Sequence, residues 1–265
     1  MPEIGFDTAA DRAIEQMKGM SFLEHLEELR QRVIKALIAT AAGFVVCFWK
    51  ADQIFAYVQV PIIDALKRNN LDTRLVYLNP TEPFNLYLKV GLIAGLFLAS
   101  PFVLYQVWAF VAPGLYRREK RYVWPFMVST VGLFLAGGYF AYRMVYPAAL
   151  NFLIDYGKRF QPMITIGEYT DLFLVITVGM GIIFEMPILV FFLSLMGVIS
   201  AGWMWRNLRY SILGITIIAA IITPTTDIMN MLIFAAPMVA LYMISMGIAW
   251  FVHPKRREAK AKLKA

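Results

Sequence analysis

Apolar runs divided by short polar stretches fill most of this chain. Those near 33–50, 84–111, 122–143, 169–197, 208–223 and 229–252 come close to or exceed the length needed to cross a hydrocarbon core, about 20 residues. They predict six membrane-spanning helices. Pro101, Pro187 and Pro237 fall inside three of the runs. A bundle tolerates such prolines because neighbouring groups take up the freed backbone carbonyls. Gly91-x-x-x-Gly95 and the pair Gly137-Gly138 predict close helix contact, as small residues do in lipid. The fifth run, Leu208 to Thr223, is short. Its 16 residues rise roughly 24 Å at 1.5 Å each, against a core about 30 Å thick. Such a mismatch either draws in partner helices or thins the bilayer, or else is offset by tilt in a neighbour.

Composition agrees with the pattern. Of 265 residues, 60% are hydrophobic and 16% charged, with mean hydropathy +0.62, far from the half-apolar, quarter-charged soluble norm. The chain reads as a single integral membrane domain over 1–265: an amphipathic N-terminus at 1–32, a six-span core at about 33–252, and a basic tail at 253–265. Residues 1–20 hold no apolar run, which predicts no cleavable leader. The lone Cys47 excludes an internal disulfide and a Cys-pair metal site.

The net charge of +7 admits either an anionic partner or the cytoplasmic bias of basic residues. Position decides. On the side holding both termini stand 17 of the 25 Lys and Arg, including Arg117, Arg118, Lys120 and Arg121 in one loop and six in the tail. Both termini are therefore expected in the cytoplasm. The tail is expected to act as a membrane-surface anchor, with no nucleic-acid partner.

Charges against so apolar a background need a reason. In "SFLEHLEELRQR" (21–32), Ser21 and Glu24 have capping-box spacing, so a helix begins near Phe22. Leu23, Leu26, Val33 and Leu37 form one stripe; Glu24, Glu28, Arg32 and Lys35 lie on or near the other face. The residues leave two readings open: a solvated helix start favoured by the dipole, or an acidic surface for a cationic partner. His25 has no second ligand at metal-site spacing and reads as a spectator. Glu119, a single acid among four bases, is either local charge balance or a second anchor for a cation. Glu185 in "GIIFEMPIL" stands well inside the fourth run. A carboxyl there costs about 2.5–3.5 kcal/mol on insertion scales, so it should face a polar cavity or a partner and carry function. Metalloprotease, P-loop and nucleophile-elbow motifs are missing, and the only histidines are His25 and His253. An intramembrane enzyme is not expected, nor any cofactor. A secondary transporter is the alternative, but the two halves show no inverted repeat.

Several segments together resemble the TatC family, the receptor subunit of the twin-arginine protein translocase. "FLEHLEELRQRV", "NPTEPF" (79–84), "SPFVLYQVWAFVAPGLYRREKR" (100–121), "FEMP" (184–187) and "TPTTD" (223–227) carry the resemblance, from about Met20 to Pro254. The resemblance implies an all-α polytopic membrane protein of six transmembrane helices, both termini cytoplasmic, in a concave glove-like bundle in the bacterial inner membrane. It implies a receptor for twin-arginine signal peptides of folded cargo, working with TatA and TatB single-span subunits, itself in a homo-oligomer, driven by the proton-motive force. By position, Glu28 and Glu119 would receive the two signal-peptide arginines. Phe110 and Arg30 would belong to signal-peptide recognition, and Glu185, Pro61, Tyr142 and Asp227 to transport. The fifth span would form much of the TatA or TatB docking surface. One position departs: many relatives carry Gln four residues after the aspartate of the turn, where this chain has Met231 beside Asn230.

Overall fold

The computed structural model describes residues 22–111, 123–160, 162–195, 197–223 and 228–252. Each predicted apolar run contains a helix. These are α1 (Phe22–Phe48), α4 (Glu82–Val111), α5 (Val123–Phe140), α7 and α8 (Ile166–Phe184 and Met186–Leu195), α10 (Leu208–Ile222) and α11 (Ile228–Val252). Between them stand α2 (Ala51–Val58), α3 (Val60–Arg68), α6 (Tyr146–Tyr156) and α9 (Ala201–Arg206). Among the described residues, four helices are long and apolar enough to cross a membrane: α1, α4, the α7–α8 rod and α11; α10 is a shorter apolar helix.

Helix ends and breaks follow from local chemistry. Thr165 caps α7 by accepting the Glu168 N–H at 3.2 Å, and Ser200 caps α9 through the Trp203 N–H at 3.2 Å. Pro101 leaves α4 straight through because the carbonyl it cannot satisfy, that of Phe97, accepts from the Ser100 hydroxyl at 2.7 Å. At Pro187 the carbonyls of Ile182 and Ile183 are met instead by backbone N–H groups of a tightened cap. The ladder breaks at Glu185, whose N–H tightens onto Ile182 O at 3.1 Å before α8 restarts.

The bundle is built on close approaches. α1 packs along α4, α5 along α7, and α8 along α11, while α4 also touches α5, α7 and α2. Gly43 and Gly95 bring α1 and α4 nearly backbone to backbone; a Cβ on Gly43 would stand 2.5 Å from the Gly95 carbonyl oxygen. A Cβ on Gly137 would stand 2.6 Å from Met180 O, so α5 and α7 meet in the same way. Both predicted glycine pairs thus lie at helix contacts. At one end of the bundle the main core gathers Ile62, Tyr146, Tyr169 and Ile176. There Tyr146 donates to Tyr169 O at 3.2 Å and the Tyr169 hydroxyl donates to Val58 O, tying α2, α6 and α7 together. A parallel bridge, Val76 to Thr165, fastens the connection after α3 to the start of α7.

Three expectations change. The stretch between the first two runs is not plain connection: it folds as α2 and α3, whose Ile62, Ala65 and Leu66 are buried. The third run does not end near 143. It continues through a π turn, Ala141–Val145, into α6, because Val145, Tyr146 and Ala149 bury against the core. The apolar stripe of the N-terminal helix does not face the protein: Leu23, Leu26, Val33 and Leu37 are 75, 44, 47 and 63% exposed. In a bilayer the lipid is as apolar as a core, so such a stripe faces outward and the polar face is left for helix contact.

Candidate functional site

The last turns of α4 carry Gln106 and Trp108, both buried, on opposite sides of the helix, with Phe110 one turn beyond Gln106. Gln106 and Phe110 meet α1. Arg32 Nη1 donates to Gln106 Oε1 at 3.4 Å, and Arg32 Nε donates to Glu28 Oε1 at 2.8 Å, its Nη2 reaching the same oxygen. His25 stacks flat on Phe110, ring centroids 4.4 Å apart and 13° from parallel. Helical spacing explains the set, since positions 25, 28 and 32 share one face of α1. The Glu28 and Arg32 side chains are 22 and 24% exposed. Glu28 Oε2 is buried and accepts no hydrogen bond among the described residues. One carboxylate therefore already grips a guanidinium through one oxygen and holds its second oxygen in reserve. Arg30 is not part of this group; it turns to Glu27 at 3.6 Å on the exposed face.

Trp108 meets the other side of the bundle. With Phe126, Ile188 and Phe192 it forms a separate aromatic cluster, its ring 5.1 Å from Phe126 and 4.9 Å from Phe192. Ile188, one turn after Glu185, packs in this cluster, so the α7–α8 joint comes up on the Trp108 side of α4. No described group stands in hydrogen-bonding geometry to either Glu185 oxygen, and both are buried. The break before Pro187 is what delivers this carboxyl, placed at the joint of α7 and α8.

Pro61 and Tyr142 also come together, at the opposite end of α4. Pro61 is buried in the first turn of α3, and the Tyr142 hydroxyl donates to Tyr57 O at 2.9 Å. Both line one small cleft with Asp64, Arg68 and Arg143. They are not near Glu28. Glu119 and Asp227 lie outside the described residues, as does the side chain of Asn230. Met231 packs as an apolar residue against the main core.

His25, expected to be a spectator, stacks on Phe110; Arg32 as a partner to Gln106, and Trp108, had no place in the sequence reading. The spacing 25–28–32 was a usable signal for the first two. Nothing local marks Trp108, because its buried partners Ile188 and Phe192 lie on a helix distant in the chain. No group of three His, Cys, Asp or Glu able to hold a metal occurs among the described residues.

Comparisons with known proteins bear on what this arrangement serves. The family described as Sec-independent protein translocase protein (TatC) matches residues 24–237. The Sec-independent protein translocase protein TatC of Koribacter versatilis is 66% identical over 262 residues, covering 98% of this chain and 97% of that protein. The chloroplastic protein of the same name from Arabidopsis thaliana is 34% identical over 89% of this chain and 67% of its own length. A crystal structure of a twin-arginine translocase receptor, TatC, superposes with TM-score 0.76 at 35% identity, covering 85% of this chain and 97% of that one.

Proposed function

The chain belongs to the TatC family, Sec-independent protein translocase subunits, and from that premise we propose that it is the receptor that reads twin-arginine signal peptides. It is a membrane-embedded protein translocase subunit, not an enzyme. The observation that carries the finer reading is Glu28: a half-buried carboxylate already engaged by an arginine fork, with Oε2 unused and an aromatic stack beside it. Guanidinium pairs with carboxylate in two parallel bonds, which a lysine ammonium cannot imitate. An incoming arginine displaces Arg32 and takes both Glu28 oxygens, and His25 and Phe110 offer flat surface to its partly desolvated plane. Glu119 receives the second arginine. Contacts open to water are weak singly, so both must form at once for the receptor to discriminate.

The remainder of the reading follows from the same premise. Six spans cross the bacterial inner membrane as one domain, with residues 1–32 and 253–265 in the cytoplasm. TatA and TatB subunits dock along α10, copies of the chain assemble, and the proton-motive force drives folded cargo across. Glu185, Pro61, Tyr142 and Asp227 serve transport after the peptide has bound, and Arg30 supports recognition from the exposed face.

The test is photocrosslinking of a twin-arginine peptide to the full chain in membranes. Glu28→Ala and Glu119→Ala should each weaken the adduct while the protein stays in the membrane, and a Lys-Lys peptide should crosslink poorly to the wild type. Undiminished crosslinking in both variants would sink the assignment.

A further inference from the structure

Tyr142 forms a wall between two clefts of opposite character. On one side is a polar cleft of about 220 Å³, whose lining includes Asp64, Arg68, Arg143 and Asn151. On the other is an apolar cleft of about 270 Å³ between α4, α5 and α7, lined among others by Val90, Phe97, Leu135 and Tyr139. Leu135 and Tyr139 are exposed, so the apolar cleft opens towards the lipid. Arg68 and Arg143 are exposed too, and neither makes an ion pair or hydrogen bond among the described residues. Asp64 is the single acid in that cleft, so one positive charge is left over.

Two guanidinium groups that share a cleft with a single acid suit an anion. These two sit at the end of the bundle that holds the smaller share of the basic residues, against the usual bias. Exposed Tyr57 and Tyr139 stand beside Tyr142 and the apolar cleft, the kind of aromatic residue enriched at a bilayer surface. The π turn at 141–145 places Tyr142 and Arg143 there, and π turns gather at functional sites. Thr177 adds a further sign. Its hydroxyl is buried, has no partner among the described residues, and lines the apolar cleft.

We propose that the two clefts together hold one anionic phospholipid, its phosphate between Arg68 and Arg143 and one acyl chain in the cleft beyond Tyr142. Guanidinium groups bind phosphate bidentately. The Thr177 hydroxyl donates to an ester carbonyl at the top of the chain. A free phosphate would use the polar cleft alone, and a partner helix the apolar cleft alone. A phospholipid uses both and accounts for their sharing a wall.

The experiment takes the full-length protein in detergent, adds phosphatidylglycerol or phosphatidylcholine, and counts retained lipid by native mass spectrometry. Wild type should keep phosphatidylglycerol preferentially. Arg68→Gln with Arg143→Gln should lose it by about tenfold or more, the scale of one charge-assisted contact, and the double lysine variant should fall between. Both arginines are exposed, so the variants should keep wild-type circular dichroism in phosphatidylcholine. Retention unchanged in the double glutamine variant, or equal retention of both lipids, would overturn the proposal. So would an arginine-dependent thermal shift as large with inorganic phosphate as with the lipid, which would mean a free-anion site. A photoreactive residue at Leu135 should label lipid in native membranes; labelling of protein alone would assign the apolar cleft to a partner helix and overturn it equally.

Discussion

Two carboxylates approach the last turns of α4 from opposite sides, and the protein treats them in opposite ways. Glu28 comes from α1, is half-buried, and is matched by Arg32 and, through it, Gln106. Glu185 comes from the α7–α8 joint, one turn before Ile188 of the Trp108 cluster, with no described hydrogen bond to either oxygen. A half-wet carboxylate can exchange one guanidinium for another at small cost, which suits reversible binding. A carboxyl kept dry and unpaired is costly wherever it stands in a membrane, and a cost so placed is retained for function. One helix therefore meets two acids in opposite settings, Glu28 beside Gln106 and Glu185 on the Trp108 side, which fits the division of roles proposed above.

The largest effect should come from separating the two sides. Gly95→Leu cannot be accommodated against Gly43, so α1 must leave α4 and take Glu28 with it; we expect a loss of about 3 kcal/mol of stability. Peptide crosslinking should disappear with it. If crosslinking survives, the Glu28 site does not depend on its seat against Gln106.

Glu185→Leu should do the reverse. Removing an unpaired carboxyl should stabilise the protein by about 2 kcal/mol in thermal unfolding, while export fails and peptide crosslinking remains near wild type. Destabilisation of similar size would reveal a partner for Glu185. An equal fall in peptide affinity would erase the division between the two faces.

A smaller change tests the resident pair. Arg32→Ala leaves Glu28 half-buried and unmatched and should cost about 1 kcal/mol, with Arg32→Lys costing less. Equal stability of wild type and Arg32→Ala would mean that the pair is fully solvated. Smallest of all, Glu27→Ala should change stability by less than about 0.5 kcal/mol, since its pairing with Arg30 is exposed. It should also leave peptide crosslinking intact, separating Glu27 from Glu28 by function as well as by face.

How much of this could be read beforehand differs element by element. The helices in the apolar runs were legible because lipid demands long, uninterrupted apolar stretches whose ends are marked by charge and turn residues. The π turn and its continuation into α6 were not, because Arg143 resembles the end of a span; only the burial of Val145, Tyr146 and Ala149 carries the helix onward. At the site, Glu185 stood out as a charge in apolar surroundings, while Glu28 was set apart from Glu24 and Glu27 only by the family resemblance. Gln106 and Trp108 did not, since a polar and an aromatic residue near a helix end are ordinary until their neighbours are known.

The chain by itself determined the membrane class, the helical segments, the glycine contacts and the two acids that needed explaining. These rest on composition and on spacing along one helix, which are local properties. Tertiary structure decided which face of α1 turns inward, that Arg32 reaches on to Gln106, and that Trp108 packs beside Ile188, one turn from Glu185. In water, apolar stripes point to the core and periodicity alone orients a helix. In lipid both sides of a helix can be apolar, and orientation falls to close packing and to the few polar groups that must find each other, often across long separations in the chain.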